Sequence, residues 1–230
     1  MQGNSERRFI SLPDQKDYEL SYGLAFKLAG EKLSGLPDLE EQCLRSESIC
    51  RIANSSRNII LKYLNRTYEI ALPDVTVKVQ NNDEKVELRD KILILHYFTR
   101  AKGTPLSHNL ISYQELEEGA TYYPTFIKRA IKPLIDHFGP DPSRLLDISA
   151  ELGGLKANFG DVAVTIPAFS RVPITLALWK GDQEFPPNAN ILFDSTILDY
   201  LSAEDVNVVC QTIAWQLVKL LKSRSNTHQA

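Results

Sequence analysis

The chain has 230 residues, of which 43% are apolar and 24% charged, with a formal net charge of −3. A chain of that length can bury about 70% of its unfolded surface in one large domain, so it needs no disulfides or structural metals. Its near-balanced charge, with no long basic block, gives nucleic acid or an anionic membrane little to hold. Three cysteines, Cys43, Cys50 and Cys210, without a CxxC, exclude a disulfide framework and a thiolate zinc or iron–sulfur site built from this chain alone.

The opening residues, "MQGNSERRFISLP", lack the apolar core of a signal peptide, and the longest strongly apolar run, "ILILHYF", is far short of a membrane span. The expected setting is therefore a reducing cytoplasm. Residues 1–16 and the tail 223–230 read as flexible ends of a single domain over 17–222.

A helix is predicted from Asp17, with Tyr18, Tyr22, Ala25, Ala29 and Leu33 on one face and Gly35 and Pro37 at its end. A second, short one covers 39–45. Between residues 48 and 79 the period changes to alternation, interrupted by turn signals at Asn54-Ser55-Ser56, Asn65-Arg66 and Pro73-Asp74. Three or four antiparallel strands are expected there. Residues 88–101 then read as a helix striped by Leu88, Ile92, Leu95 and Phe98. It is apolar nearly all round and so belongs at the centre of the fold.

"LISYQELEEG" suits a short strand or turn. A helix capped by Thr121 is expected to run through "FIKRAIKPLIDHF", kinked or divided at Pro133 and stopped by Gly139-Pro140. Asp141-Pro142 opens another helix, which Gly153-Gly154 ends. A second strand region follows, near "DVAVTIP", "VPITLALW" and "ANILFD". The last helix opens at Ser202 with Asp205 three residues on, a capping-box spacing, and buries Val206, Val209, Ile213, Leu217 and Leu220. The fold class is α+β, with antiparallel sheet segments and flanking helices.

Catalytic signatures are absent: no P-loop, no GxGxxG after a strand, no GxSxG and no HExxH. The glycines of "ELGGLKANFGD" read as a helix stop and a turn. Of His96, His108, His137 and His228, no two share an i,i+4 helical face. His96 lies within the apolar run. It is either a neutral core imidazole bonded to a backbone carbonyl or an axial ligand or donor facing a buried cofactor. Asp182, Glu184 and Asp194 are either a solvated acidic turn or carboxylates that meet across a hairpin for acid–base work. Tyr122, Tyr123 and Phe126 form one aromatic cluster, and Trp179, Phe185 and Phe193 another. Each suits the core, or a loop-bordering surface on which a flat ligand stacks. Pro186-Pro187 stiffens the loop before Asn188 and Asn190, whose amides suit turn bonds or a ligand's amide arms. This 178–194 stretch is expected to border the main pocket.

Three blocks, "LRDKILILHYFTRAKGTPLS", "ISYQELEEGATYYPTFIKRAIKPLIDHFG" and "RVPITLALWKGDQEFPPNANILFD", resemble the prokaryotic, anaerobe-rich family called domain of unknown function 3786, over residues 18–221. Some members carry an added segment of closely spaced cysteines like that of corrinoid iron–sulfur proteins. This chain lacks it, so no iron–sulfur cluster is carried over. The resemblance implies a corrinoid (cobalamin-type) or related tetrapyrrole-binding protein, non-catalytic, in anaerobic one-carbon or methyl-transfer metabolism. Its partner would be a corrinoid protein or methyltransferase. The usual Asp-x-His-x-x-Gly signature of B12-binding domains is missing, so the cradle must be a different one. His96 as axial metal ligand, with Tyr122, Tyr123, Trp179, Phe185 and Asn190 around the cofactor, is the expected site. The alternatives are an enzyme using Asp182, Glu184 and Asp194 on a small polar substrate, and a protein-binding scaffold.

Overall fold

The computed structural model describes residues 15–53 and 56–227. Helix α1, Gln15–Ser34, packs on α3, Leu88–Arg100, through Ala29 and Leu33, both buried as their spacing requires. The short α2, Leu39–Arg45, is capped by Asp38, whose carboxylate accepts the Glu41 N–H at 2.9 Å.

Strands β1 Ile49–Ala53, β2 Ser56–Tyr63, β3 Arg66–Leu72 and β4 Thr76–Val79 form an antiparallel meander in chain order. The tip of the first hairpin, Asn54-Ser55, lies outside the described residues. The second hairpin turns at Leu64-Asn65, one residue earlier than Asn65-Arg66, because Tyr63 and Arg66 are paired across it. Both turn residues have positive φ, 46° and 61°. That is the backbone of a tight hairpin, and it strains a leucine. Leu64 offsets the strain by being buried and by donating its N–H to Ala168 O at 3.0 Å, on the other sheet.

The second sheet has the order β5-β9-β8-β7-β6, all antiparallel, from Leu110–Ser112, Asn188–Asp194, Val172–Trp179, Val162–Phe169 and Leu155–Ala157 respectively. Helices α5 Lys132–Phe138, α6 Arg144–Ser149 and α7 Ala203–Thr227 cover its helical side. α7 runs to Thr227, five residues beyond the expected end at 222, and buries Val206, Val209, Ile213 and Leu217 as the pattern predicts. The architecture is α+β, two antiparallel sheets with flanking helices in one compact body. Among the described residues no helix is long and apolar enough to cross a membrane.

α4, Gly119–Phe126, continues through a π-type turn, Ile127–Ile131, into α5. The residue ahead of α4 is Glu118, in the left-handed region (φ 63°), so Thr121 sits inside the helix and does not cap it. A Cβ at Gly119 would meet Tyr113 O at 1.9 Å, which fixes glycine there. Pro133, expected to kink or divide the helix, lies inside α5 without breaking it. The wide turn ahead of it absorbs the missing N–H, and the chain stays helical across the proline.

A column of aromatic rings joins the two sheets. Tyr63 of β2 stacks on Phe169 of β7 at 4.8 Å, and Phe169 stacks on Tyr97 of α3 at 4.1 Å. All three are buried. Phe169→Ala is expected to cost about 3–5 kcal/mol, read by denaturant unfolding, since the cavity opens where sheet, sheet and helix meet.

Asp194 ends β9 and knots the α3–β5 connection to it. Its carboxylate accepts from Ser107 N and Oγ, His108 N, and Thr196 N and Oγ1, at 2.7–3.1 Å. Burial pushes this carboxyl up, but the bonds from Thr196 and Ser107 outweigh it and bring it down to about 2. A depressed carboxylate contributes stability that is present above its unfolded value and lost as pH falls through the folded one. Asp194→Asn is therefore expected to cost roughly 2 kcal/mol at neutral pH. The gap to the unmodified protein should close between about pH 4 and pH 2 in acid-denaturation curves.

Candidate functional site

Four helical stretches converge on one cleft, each offering a row spaced by helical periodicity. α3 gives Arg89, Ile92, Leu93 and His96; α7 gives Glu204, Asn207, Val208 and Gln211. The stretch around α4 gives Glu118, Tyr122, Thr125 and Arg129, and α1 gives Ser21, Tyr22 and Ala25. The cleft has two lobes that share Tyr22, Arg89, Glu204 and Val208 in their walls. The larger, ≈ 640 Å³, is walled mainly by polar and charged groups. The smaller, ≈ 300 Å³, is more apolar and holds His96.

His96 is neither a core imidazole bonded to a backbone carbonyl nor exposed. Its side chain is 30% accessible, and its Nδ1 lies 2.8 Å from Asp205 Oδ1. An ionised carboxylate only accepts, so the neutral imidazole carries its proton on Nδ1. Among the described residues Nε2 has no hydrogen-bond partner. Asp205 is fixed in turn by the start of α7. Its Oδ2 accepts Ser202 Oγ–H at 2.6 Å and Ser202 N–H at 3.2 Å, and its own N–H is capped by Ser202 Oγ at 3.1 Å. Burial would push the Asp205 carboxyl up. The bonds from His96 and Ser202 outweigh burial and hold it below the usual carboxylate range.

Of the expected site residues, the structure brings His96 and Tyr122 to this cleft. Tyr123 turns away and packs on the core, its ring 6.4 Å from Phe126. The 178–194 stretch does not border either lobe. Its loop is seated on the far end of α5, where Pro187 would touch a Cβ at Gly139 at 3.1 Å. Seventeen helical residues separate Tyr122 from Gly139, about 25 Å at 1.5 Å each. Trp179 meets Phe159 edge-on at 6.4 Å, Phe185 is 67% exposed, and Asn190 Oδ1 accepts the Ile191 N–H at 2.9 Å. Asp194, at the other end of the stretch, lines a separate cavity shared with His108.

The three loop carboxylates do not converge either. Asp182 closes a turn by accepting the Phe185 and Glu184 N–H groups, which hold its carboxyl low. Asp194 lies six residues of strand beyond Asn188, roughly 20 Å further along.

Arg89, Arg129, Glu204 and Asn207 escape a reading based on motifs, because they come from three elements and match no short pattern. Beyond His96 and Tyr122, the capping spacing Ser202–Asp205 was the one further signal for the site. Its second use, holding an imidazole 109 residues earlier in the chain, needs the fold.

Helices and sheets thus define an α+β protein with a helix-lined cleft that holds a histidine–aspartate pair in one of its lobes. The chain belongs to the family described as Domain of unknown function (DUF3786), which it matches over residues 38–215. No curated protein and no solved structure matches it.

Asp205→Ala removes a helix cap and leaves Nδ1 without its acceptor, at an expected cost of about 1–3 kcal/mol. Imidazole ¹⁵N shifts should place the His96 proton on Nδ1 in the unmodified protein and show it shared between both nitrogens in the variant.

Proposed function

We propose that this protein binds a corrinoid or related tetrapyrrole in the two-lobed cleft, with His96 as the axial base. It acts without catalysis of its own, in anaerobic one-carbon or methyl-transfer metabolism. The observation that carries the reading is the carboxylate-held imidazole: Asp205 takes the Nδ1–H, which leaves the Nε2 lone pair as the free donor of a ring on the cavity wall. Metal-ligating histidines are held by outer carboxylates in this way.

The donor set favours a metal that brings its own ring over a bare ion. Among the described residues no group of three or more His, Cys, Asp or Glu side chains could hold a metal ion. One imidazole is too few for a protein-built site. It is enough as an axial ligand where a macrocycle fills the equatorial positions. Ala25, Ile92, Leu93 and Val208 offer an apolar wall beside His96, and Tyr122, Asn207 and Gln211 offer polar groups for amide arms. When bound, a corrinoid would supply a cobalt centre able to carry a methyl group. His96 would be the residue that holds it, and Asp205 would keep that imidazole oriented with its proton on Nδ1.

A cytoplasmic setting and a corrinoid protein or methyltransferase as partner belong to the same reading. The three free thiols support the setting; burial, with Cys50 alongside, pushes the Cys43 thiol up to about 12, so it stays protonated and inert. An enzyme working through Asp182, Glu184 and Asp194 has no support in the geometry, since those carboxylates sit at opposite ends of a strand.

The test is anaerobic titration with aquocobinamide, a corrinoid without a base of its own. Binding is expected to shift its visible bands as an imidazole coordinates. His96→Ala should remove the shift while the fold survives, read by far-UV circular dichroism, and His96→Gln should not restore it. Absence of binding defeats the reading, and so does binding whose spectrum ignores both substitutions.

A further inference from the structure

The larger lobe carries more charge than an axial-ligand site requires. Arg89, Arg129, Glu118 and Glu204 all face it. Elsewhere the chain pairs such groups at close range, as in Arg66–Glu84 at 2.5 Å and Arg171–Glu47 at 2.9 Å. Among the described residues none of the four makes a salt bridge within 4 Å; Arg129, Glu118 and Glu204 are exposed, and the charge of the part-buried Arg89 acts on its neighbour Asp90. Two buried atoms of its lining are also without any hydrogen-bond partner: Arg89 Nε, a donor, and Asn207 Oδ1, an acceptor.

A buried orphan is costly, and native structures leave few of them. Both atoms lie just beneath the accessible wall, so a ligand completes this pair of opposite hydrogen-bonding sense only as Arg89 and Asn207 turn into the lobe. The ligand would place an acceptor on Arg89 and a donor on Asn207. The second guanidinium, Arg129, sits in the widened π-type turn of the long helix, a local geometry that recurs at functional sites. Guanidinium groups match carboxylate and phosphate oxygens in geometry as well as charge.

We propose that the larger lobe is an anion subsite, in which Arg89 and Arg129 hold a small carboxylate or phosphate whose neighbouring O–H or N–H bonds Asn207. The subsite does not depend on the axial role of His96. It is a place for a second small ligand or for an anionic arm of a larger one. Glu118 and Glu204 on the same wall select against bulky polyanions, because a second negative group would face them at close range.

The test is calorimetric titration of the purified protein with inorganic phosphate, acetate and glycolate. Saturable binding of phosphate or glycolate is expected at a Kd on the order of 1 mM. Phosphate alone binding identifies a phosphoryl ligand, and glycolate alone a carboxylate. Glycolate should bind more tightly than acetate, because only glycolate carries a donor for Asn207, and Asn207→Ala should erase that preference. Arg89→Gln and Arg129→Gln should each weaken binding by about tenfold or more, the loss of one charged hydrogen-bonding group. His96→Gln should leave the affinity within about threefold, which separates this subsite from the axial-ligand reading. Absence of saturation by every probe at tens of millimolar overturns the proposal. Unchanged affinity in both arginine variants overturns it equally, and equal binding of acetate and glycolate overturns the role of Asn207.

Discussion

The fold hangs on one stacked column of rings. Tyr68 leans on Tyr63 at 5.8 Å, Tyr63 on Phe169 at 4.8 Å, Phe169 on Tyr97 at 4.1 Å, and Tyr97 on Tyr200 at 6.1 Å. The column begins in the meander, crosses the second sheet at β7, passes through α3 and ends beside the start of α7. Each ring buries roughly 150–250 Å², and each well-stacked pair adds about 0.5–1.5 kcal/mol beyond area. Burial also pushes the Tyr63 and Tyr97 hydroxyls well above their ordinary range, so these rings stay neutral. Their polar ends are still used: Tyr97 Oη donates to Ser46 O at 2.8 Å and Tyr63 Oη to Asp90 at 3.3 Å.

This column decides where the cleft lies. Neighbouring residues on a helix point about 100° apart. Once Tyr97 is committed to the stack, His96 is turned toward α1 and α7, and Arg89, two turns earlier, follows it onto the same side. α7 supplies the complementary row because its buried stripe fixes its rotation, and the Ser202–Asp205 box fixes where it begins. Asp205 therefore does two things with one carboxylate. Oδ2 closes the helix start and Oδ1 holds an imidazole. The ring is held by a helix terminus welded into the core, which suits a group whose orientation matters to less than an ångström.

Much of this was legible in the residues. The stripe of α7, the central burial of "ILILHYF" and the change from period 3.6 to period 2 and back are local signals, and they predicted an α+β chain with two sheet regions. The hairpin turn fell one residue early because Leu64 is stabilised by the opposite sheet, a contact that no window around Asn65 contains. The site was half legible. His96 stood out as one imidazole among apolar neighbours, and Tyr122 as an aromatic near a helix start. The loop around Trp179, Phe185 and Asn190 drew attention by composition, since tryptophan, prolines and amides resemble a ligand seat. Composition does not say which end of a strand a loop leaves from. Here β8 and β9 open toward the far end of α5, and the prolines serve packing on Gly139.

The balance of costs argues for the cleft as the working part of the molecule. Around the aromatic column nearly every large side chain is buried, and one buried polar atom, Arg171 Nε, lacks a partner. Along the cleft the same helices leave Arg89 Nε and Asn207 Oδ1 without partners and charges of both signs unpaired. A protein held together elsewhere by so dense a core can carry that local loss, and the groups left open are of the kinds that grip a ligand: a lone pair, two guanidinium forks and an amide.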